Sequence, residues 1–168
     1  MPRERTWKAA EDGIMIRRRK EQRMEKTMNS EQIRKYLEYR RINNRFGNYV
    51  GITPVETREG FARCVLEVRE EHLNPLNTVH GGCLYTLADT TGGTACATYG
   101  TIAPTLSGEM HFLNSASGAK KLIAEANVIK CGRTVRVTEV RITDEKENLI
   151  ATATFSYFNT GRTVLEDK

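Results

Sequence analysis

The strongest helical pattern in the chain begins at Gly81, from where small and apolar side chains recur at roughly helical spacing. The apolar positions are Leu84, Leu87, Ala88, Ala95 and Ala97. Side chains this small predict a helix that is closely surrounded by the rest of the fold. Asp89 lies about two turns inside this helix. An unpaired carboxylate is costly to bury, so Asp89 needs either a partner or a function.

Shorter periodic segments predict the remaining elements. A helix capped by Asn29 or Ser30 is expected to run to Asn43 and to end at Phe46-Gly47. Alternating apolar and polar positions predict strands at 49–52, 60–69, 106–112, 122–128, 134–143 and 149–157. Short loops at 131–133 and 144–148 predict antiparallel hairpins. The expected fold class is α+β, with one long helix wrapped by an antiparallel sheet of about five or six strands.

Length and cysteine usage favour an ordinary globular protein of one domain. The 168 residues can bury about two-thirds of the unfolded surface without disulfides or metals. Four widely spaced cysteines form no C-x-x-C pair, which predicts reduced core thiols and neither a zinc site nor a disulfide framework. The chain shows no apolar run of membrane-spanning length and no secretory signal. We therefore expect a cytoplasmic protein that does not associate with membranes.

The net charge of +5 is concentrated at the N-terminus. Residues 1–27 contain nine Lys or Arg and five Asp or Glu, whereas residues 28–168 contain seventeen and sixteen. We expect 1–27 to be a basic extension, helical or disordered, and 28–168 to be the functional domain. The cluster at 17–20 could contact nucleic acid, an acidic partner or anionic lipid, but charge blocks are most often solvated, so nucleic-acid binding is not expected.

Several fixed spacings together resemble one enzyme family. Asn74, His80-Gly81-Gly82, Leu87-Ala88-Asp89 and a later strand with Ser107 follow the order found in acyl-CoA thioesterases of the hot dog superfamily. Within them, the chain is most similar to the phenylacetic-acid-degradation thioesterase branch, which is related to the 4-hydroxybenzoyl-CoA thioesterases. The resemblance covers residues 28–168. It implies that two subunits join into one continuous sheet, and usually that two dimers form a homotetramer.

Thioester hydrolysis needs a donor that polarises the carbonyl and a base or nucleophile. If the helix begins at Gly81, the N–H groups of Gly81 and Gly82 are free at its positive end. Asp89 lies eight residues further on, which corresponds to about 12 Å along the helix axis. Reacting groups must approach within about 3 to 3.5 Å, so one chain cannot supply both groups to one carbonyl. The spacing predicts that Asp89 comes from the neighbouring helix of a dimer.

The expected roles combine this chemistry with the resemblance. Asp89 is the general base or nucleophile, and Gly81 and Gly82 polarise the carbonyl. Asn74 and His80 position the thioester and shape the turn. The resemblance alone assigns Ser107 to orienting the attacking water. Structural alternatives are a salt bridge for Asp89, a helix cap for His80 and an Asx turn for Asn74.

Acyl-CoA substrates also need cations for their phosphates. Arg133 and Lys130 are the expected phosphate-binding residues, with Lys120, Lys121 and Arg136 in the same sequence region. A solvated, lysine-protected strand edge is the alternative for this region. Tyr85 is expected either to line the acyl pocket or to face the sheet. No metal is expected, and no cofactor other than the CoA of the substrate.

Three other functions are compatible with parts of the sequence. Hot dog dehydratases and hydratases also use a His and an acid, but with a different signature. A non-enzymatic acyl-CoA-binding regulator could use the basic extension to contact DNA, although residues 1–48 show no helix-turn-helix pattern. Cys83 could be a nucleophile activated by the helix start, but its spacing to His80 provides no clear base. The sequence does not distinguish aromatic from aliphatic acyl groups.

Overall fold

The computed structural model describes residues 27–165, so all but the last residue of the proposed 1–27 extension lies outside the described residues. The helices are α1 (Ser30–Asn43), α2 (Arg45–Val50) and α3 (Gly81–Ala97), with a single 3-10 turn at Glu70–His72. The strands are β1 (Ile52–Arg58), β2 (Phe61–Glu67), β3 (Thr105–Phe112), β4 (Lys121–Cys131), β5 (Val135–Asp144) and β6 (Leu149–Phe158). The α+β class is confirmed.

The six strands form one antiparallel sheet in the order β1-β2-β4-β5-β6-β3. The two hairpins that the short loops predicted, β4 with β5 and β5 with β6, are both present. Strand β3 follows α3 in the chain but pairs with β6, so it lies at one edge of the sheet, and β1 lies at the other. Among the described residues, no strand pairs with the outer side of β3, which lies next to the N-terminal part of α3.

The long helix α3 packs against one face of the sheet, and its first residue is Gly81, as predicted. Its buried side chains meet small and apolar residues of four strands: Ala62, Cys64, Leu66, Leu122, Ala124, Ala126, Val140, Ile142, Phe155 and Tyr157. Burial of this apolar surface is the main force that holds the helix on the sheet. Within residues 27–165, none of the helices has both the length and the apolar character needed to cross a membrane.

Helix α1 packs beside α3 and also contacts strand β1. It begins with a capping box between Asn29 and Gln32, which confirms the predicted cap. Tyr36 is buried against Ala97 of α3. The Arg40 guanidinium donates to the Thr94 hydroxyl, which joins the last turn of α1 to α3. These contacts fix α1 beside the C-terminal half of α3.

Two predictions for this part of the chain are wrong. Phe46 and Gly47 were expected to end the first helix, but α1 ends at Asn43 and both residues lie within α2. The segment 49–52 was expected to be a strand, but residues up to Val50 continue as α2. Gly51 then turns the chain with a positive φ of 91°, and β1 starts at Ile52. The pattern did not predict β1 because an edge strand buries few side chains and therefore lacks clear alternation.

Candidate active site

The start of α3 is built as a capped helix end. His80 is the N-cap residue, and its Nδ1 accepts the Gly82 N–H at 2.9 Å. The expectation that both glycine amides are free is therefore wrong for Gly82, because the histidine ring occupies its N–H. No hydrogen bond among residues 27–165 uses the Gly81 N–H as a donor. Gly81 is thus the amide at this helix end that remains open to a ligand.

Asn74 organises the loop that leads to α3. Its side-chain Oδ1 accepts the backbone N–H groups of Leu76 at 2.9 Å and Thr78 at 3.3 Å. These bonds form the Asx turn that was the structural alternative for Asn74. Only Oδ1 takes part in them, so the amide Nδ2 of Asn74 can still donate to a ligand.

Asp89 is only partly buried, on the side of α3 that faces β3. The Thr105 hydroxyl donates to Asp89 Oδ1 at 2.7 Å. The Tyr157 hydroxyl lies 3.0 Å from the main-chain oxygen of Asp89 and 3.4 Å from Oδ1. No ion pair in the described part of the chain includes Asp89. The described residues therefore do not form the salt bridge that was the structural alternative for Asp89.

Thr105 and Tyr157 are site residues that the sequence analysis missed. They pair with each other in the β3–β6 ladder, which places both beside the helix at the level of Asp89. Burial, followed by the nearby Asp89 charge, raises the pKa of Tyr157, so its hydroxyl stays protonated and can donate. Neither residue carries a sequence signal, because only the strand register brings them to Asp89.

Ser107, which was expected to orient the attacking water across a subunit interface, does not bond to Asp89 within the described residues of one chain. It is exposed on β3, and no hydrogen bond among the described residues joins it to Asp89. The β3–β6 register shifts between Thr105 and Ser107, so Ser107 pairs with Ser156. Thr105 holds the carboxylate instead. The proposed role of Ser107 across a subunit interface stays a prediction.

Tyr85 packs against the sheet, which was one of its two expected positions. Its ring meets Phe155 edge-on at a centroid distance of 5.0 Å, and its hydroxyl lies 3.4 Å from the Gly108 carbonyl oxygen. The side chain is still 37% exposed. Tyr85 therefore lies one turn before Asp89 on the same side of α3 and can border a bound ligand.

The expected cluster of cations divides into three environments. Lys130 and Arg133 are exposed at the β4–β5 hairpin. Lys120 and Lys121 lie at the other end of β4, roughly 30 Å away at the usual rise per residue, so the expected single cluster is wrong. Arg136 is 3% exposed and donates to the Cys96 carbonyl at 2.8 Å. It caps the C-terminal end of α3 and is not available for phosphate.

The Cys83 thiol is not activated as a nucleophile. It lies in the first turn of α3, but burial raises the pKa of its thiol to about 11. A thiol with this pKa is almost entirely protonated near neutral pH, and the thiolate is the reactive form. The cysteine alternative therefore loses its chemical basis.

Strand β3 connects the two halves of the site. Near its start, Thr105 is bonded to Asp89. At its other end, the Phe112 ring lies over the start of α3, about 3.3 Å from the position that a side chain on Gly81 would take. Within one chain, Gly81 and Asp89 remain about 12 Å apart along the helix. The two candidate half-sites therefore lie at opposite ends of β3, whose outer edge pairs with no strand among residues 27–165.

Known proteins share sequence with the part of the chain that contains these residues. A family model described as the thioesterase superfamily matches residues 76–151. Acyl-coenzyme A thioesterase 13 of Homo sapiens is 34% identical over 98 residues, which cover 56% of this chain and 69% of the human protein. The matched family segment includes the start of α3, Asp89 and Thr105.

Two solved structures are similar in fold. The Escherichia coli PaaI protein, from the phenylacetic acid degradation operon, superposes with a TM-score of 0.76 and 26% identity, covering 80% of this chain and 97% of its own. A Streptococcus mutans protein bound to acetyl-CoA superposes with a TM-score of 0.65 and 29% identity, covering 67% of this chain and 91% of its own.

Proposed function

The chain belongs to the thioesterase superfamily, and from this premise we propose that it hydrolyses acyl-coenzyme A at a site shared by two copies of the chain. It has the hot dog thioesterase fold and is a thioester hydrolase, as the residue pattern around Asp89 led us to expect. The names of the relatives support acyl-CoA as the substrate class, and the S. mutans structure holds acetyl-CoA.

The observation that supports a site shared by two chains is that the two half-sites lie beside opposite ends of β3. An edge strand with exposed apolar residues such as Leu106 and Phe112 favours pairing with another strand. Antiparallel pairing of β3 with a second copy places the Thr105 end of one strand beside the Phe112 end of the other. Asp89 of one chain then lies beside the partner's Gly81. The 12 Å separation within one chain is thereby removed.

Each half-site supplies one part of the chemistry. The Gly81 N–H, at the positive end of α3, donates to the thioester oxygen and stabilises the charge that develops there. Asp89 either takes a proton from water, whose oxygen attacks the carbonyl carbon, or attacks that carbon itself. In both cases the carbon–sulfur bond breaks and CoA leaves as its thiolate. In the second case, water then hydrolyses the acyl–Asp89 anhydride.

The neighbouring residues hold these groups in position. The Thr105 hydroxyl fixes Asp89 Oδ1 and leaves Oδ2 for water or substrate. His80 holds the first turn of α3 through Gly82 and thereby orients the Gly81 N–H. Asn74 contributes the free Nδ2 of its side chain, and Ser107 is proposed to orient the attacking water.

Lys130 and Arg133 are proposed to bind the CoA phosphates. Their hairpin lies at the same end of the sheet as Thr105, because Val135 pairs with Phe158 and Thr105 pairs with Tyr157. Strand β5 is two strands from β3, a separation of about 10 Å. Both cations are exposed, so they can reach an anion in solvent.

The first test is Asp89→Asn, measured by thiol release from acyl-CoA with a disulfide-exchange dye. Loss of the base should lower kcat by about 10² to 10⁴-fold. The fold should persist, because the amide oxygen of Asn can still accept from Thr105. An Asp89→Asn protein that keeps the full rate contradicts the assignment.

The second test separates the effect of removing the Gly81 N–H from the effect of replacing the glycine. Gly81→Pro removes the N–H at the first helical residue, where proline is well tolerated, and Gly81→Ala keeps it. We expect a loss of about 10² to 10³-fold in kcat for the proline variant. The alanine control should lose much less, since the atoms nearest to its added methyl group belong to the exposed Phe112 ring.

Mixing the two inactive variants tests the shared site. A mixed dimer of Asp89→Asn and Gly81→Pro chains has one intact pair, formed by Gly81 of the first chain and Asp89 of the second. Co-expression should restore about a quarter of the wild-type rate, because about half of randomly assorted dimers are mixed. A site contained in one chain would give no recovery.

A further inference from the structure

A cavity of about 370 Å³ lies between α1, the C-terminal half of α3 and the loop before β3. Its floor is formed by Gly93 and Ala97, which continue the side of α3 that carries Asp89 at intervals of four residues. Its rim includes Pro104, which directly precedes the Thr105 that holds Asp89. The cavity therefore opens about one helical turn from the catalytic carboxylate.

We infer that this cavity holds the distal part of an apolar acyl chain of medium length. The inference rests on the proposed function, and it specifies which class of acyl group the same site binds. The volume falls within the range of small-molecule pockets, about 300 to 1,000 Å³. Acetyl is too small to reach beyond Asp89, so longer acyl groups gain contacts that acetyl cannot make.

The lining is suited to hydrocarbon. Most of the cavity is surrounded by apolar or small residues: Tyr36, Tyr39, Gly93, Ala97, Ile102, Ala103, Pro104 and Val164. The small residues at 93 and 97 leave the floor open, whereas a larger side chain at either position would occupy the cavity. Three polar residues, Arg40, Asn43 and Asn44, also border it. The Arg40 guanidinium donates to the Thr94 hydroxyl and the Thr90 carbonyl, and the Asn43 side-chain amide donates to the Tyr39 carbonyl.

A second cavity on the other side of α1 is larger, at about 670 Å³, but it is less suitable for this role. It reaches α3 only at Thr90, and Arg34, Lys35 and Arg41 border it. A chain extending from the Asp89 carboxylate along the Gly93 side of α3 enters the smaller cavity directly. We therefore assign the acyl chain to the smaller cavity because that cavity lies nearer to Asp89, although the other has the larger volume.

The test compares kcat/KM for octanoyl-CoA with kcat/KM for butyryl-CoA. Each methylene that enters the cavity should raise kcat/KM by roughly fourfold. Ile102→Trp fills the cavity from the loop, where Ile102 is 38% exposed and the larger ring can be accommodated. We expect the octanoyl-to-butyryl ratio to fall by about tenfold or more, the effect of excluding roughly two methylenes. Gly93→Leu fills the cavity from the side of α3 and should also lower the octanoyl-to-butyryl ratio of kcat/KM.

The control is Ile42→Trp, the same substitution on α1 at a residue that is 64% exposed and borders neither cavity. It should leave the ratio unchanged. A folded Ile102→Trp protein with the wild-type ratio overturns the inference while leaving the proposed function intact. If the wild-type protein hydrolyses phenylacetyl-CoA but neither of these two esters, the inference fails and the proposed function stands. If it hydrolyses none of the three thioesters, both fail.

Discussion

Two adjacent glycines of α3 should respond in opposite ways to the same added methyl group. A Cβ on Gly92 would lie against the Tyr157 hydroxyl and 2.8 Å from the Thr138 hydroxyl oxygen, both on buried side chains. A Cβ on Gly93 would meet only the Tyr157 ring, at an ordinary contact distance of 3.6 Å. Alanine should therefore fit at Gly93 and be excluded at Gly92.

The expected energies follow from these contacts. Overpacking at Gly92 costs about 1 to 3 kcal/mol. Displacing the Tyr157 hydroxyl from the Asp89 carbonyl costs about another 1 to 3 kcal/mol. The better helix propensity of alanine stabilises the helix by at most about 1 kcal/mol. The free energy of unfolding of Gly92→Ala should therefore fall by about 3 kcal/mol. Gly93→Ala makes neither clash and should be stabilised by about 0.5 to 1 kcal/mol.

Urea denaturation followed by circular dichroism, at one fixed protein concentration, measures both changes. The two variants are matched controls for each other, since they add the same group at neighbouring positions of one helix. A Gly92→Ala protein as stable as the Gly93→Ala protein would refute the close packing of α3 against β5 and β6. Because Asp89 is anchored through the same Tyr157 hydroxyl, Gly92→Ala should also lower kcat.

Three further substitutions test the remaining assignments. Arg136→Met leaves the Cys96 carbonyl at the end of α3, and the Thr101 carbonyl in the loop that follows, without their donor. It should lower the unfolding free energy by about 2 to 4 kcal/mol, and unchanged stability would contradict its capping role. Arg133→Met should leave stability within about 0.5 kcal/mol but raise KM for acyl-CoA, and an unaltered KM would exclude Arg133 from phosphate binding. Cys83→Ala should keep its activity, and alkylation of Cys83 should stay slow up to pH 9, since its pKa of about 11 keeps the thiol protonated. Inactivity of that variant would restore the cysteine mechanism.

Most of the fold could be predicted because its periodicities are strong. The start of α3 at Gly81, the cap at Asn29 and the hairpins of β4, β5 and β6 all follow from local patterns. The segment around Val50 was assigned wrongly, since a short apolar run does not distinguish a helical turn from a strand. The pairing of β3 with β6 is a contact between segments distant in sequence, and no local pattern encodes it.

The candidate site was predictable to a similar degree. Fixed spacings identified Asp89 and the start of α3, because helix geometry converts residue number directly into distance. They could not indicate that His80 occupies the Gly82 N–H, since this depends on the orientation of a side chain. Arg136 and Arg133 look alike in the sequence, yet one is buried at the end of α3 and the other is exposed.

By itself, the sequence determined the α+β class, the central helix and the separation of its two half-sites. These depend on local periodicity and on the fixed rise of a helix, which need no knowledge of distant contacts. Only the tertiary structure decided which hydroxyls hold Asp89, which amide stays free and which cavity lies about one helical turn from the carboxylate. Those features arise where β3, β6 and α1 meet α3, and strand register and packing, which no single segment encodes, bring them together.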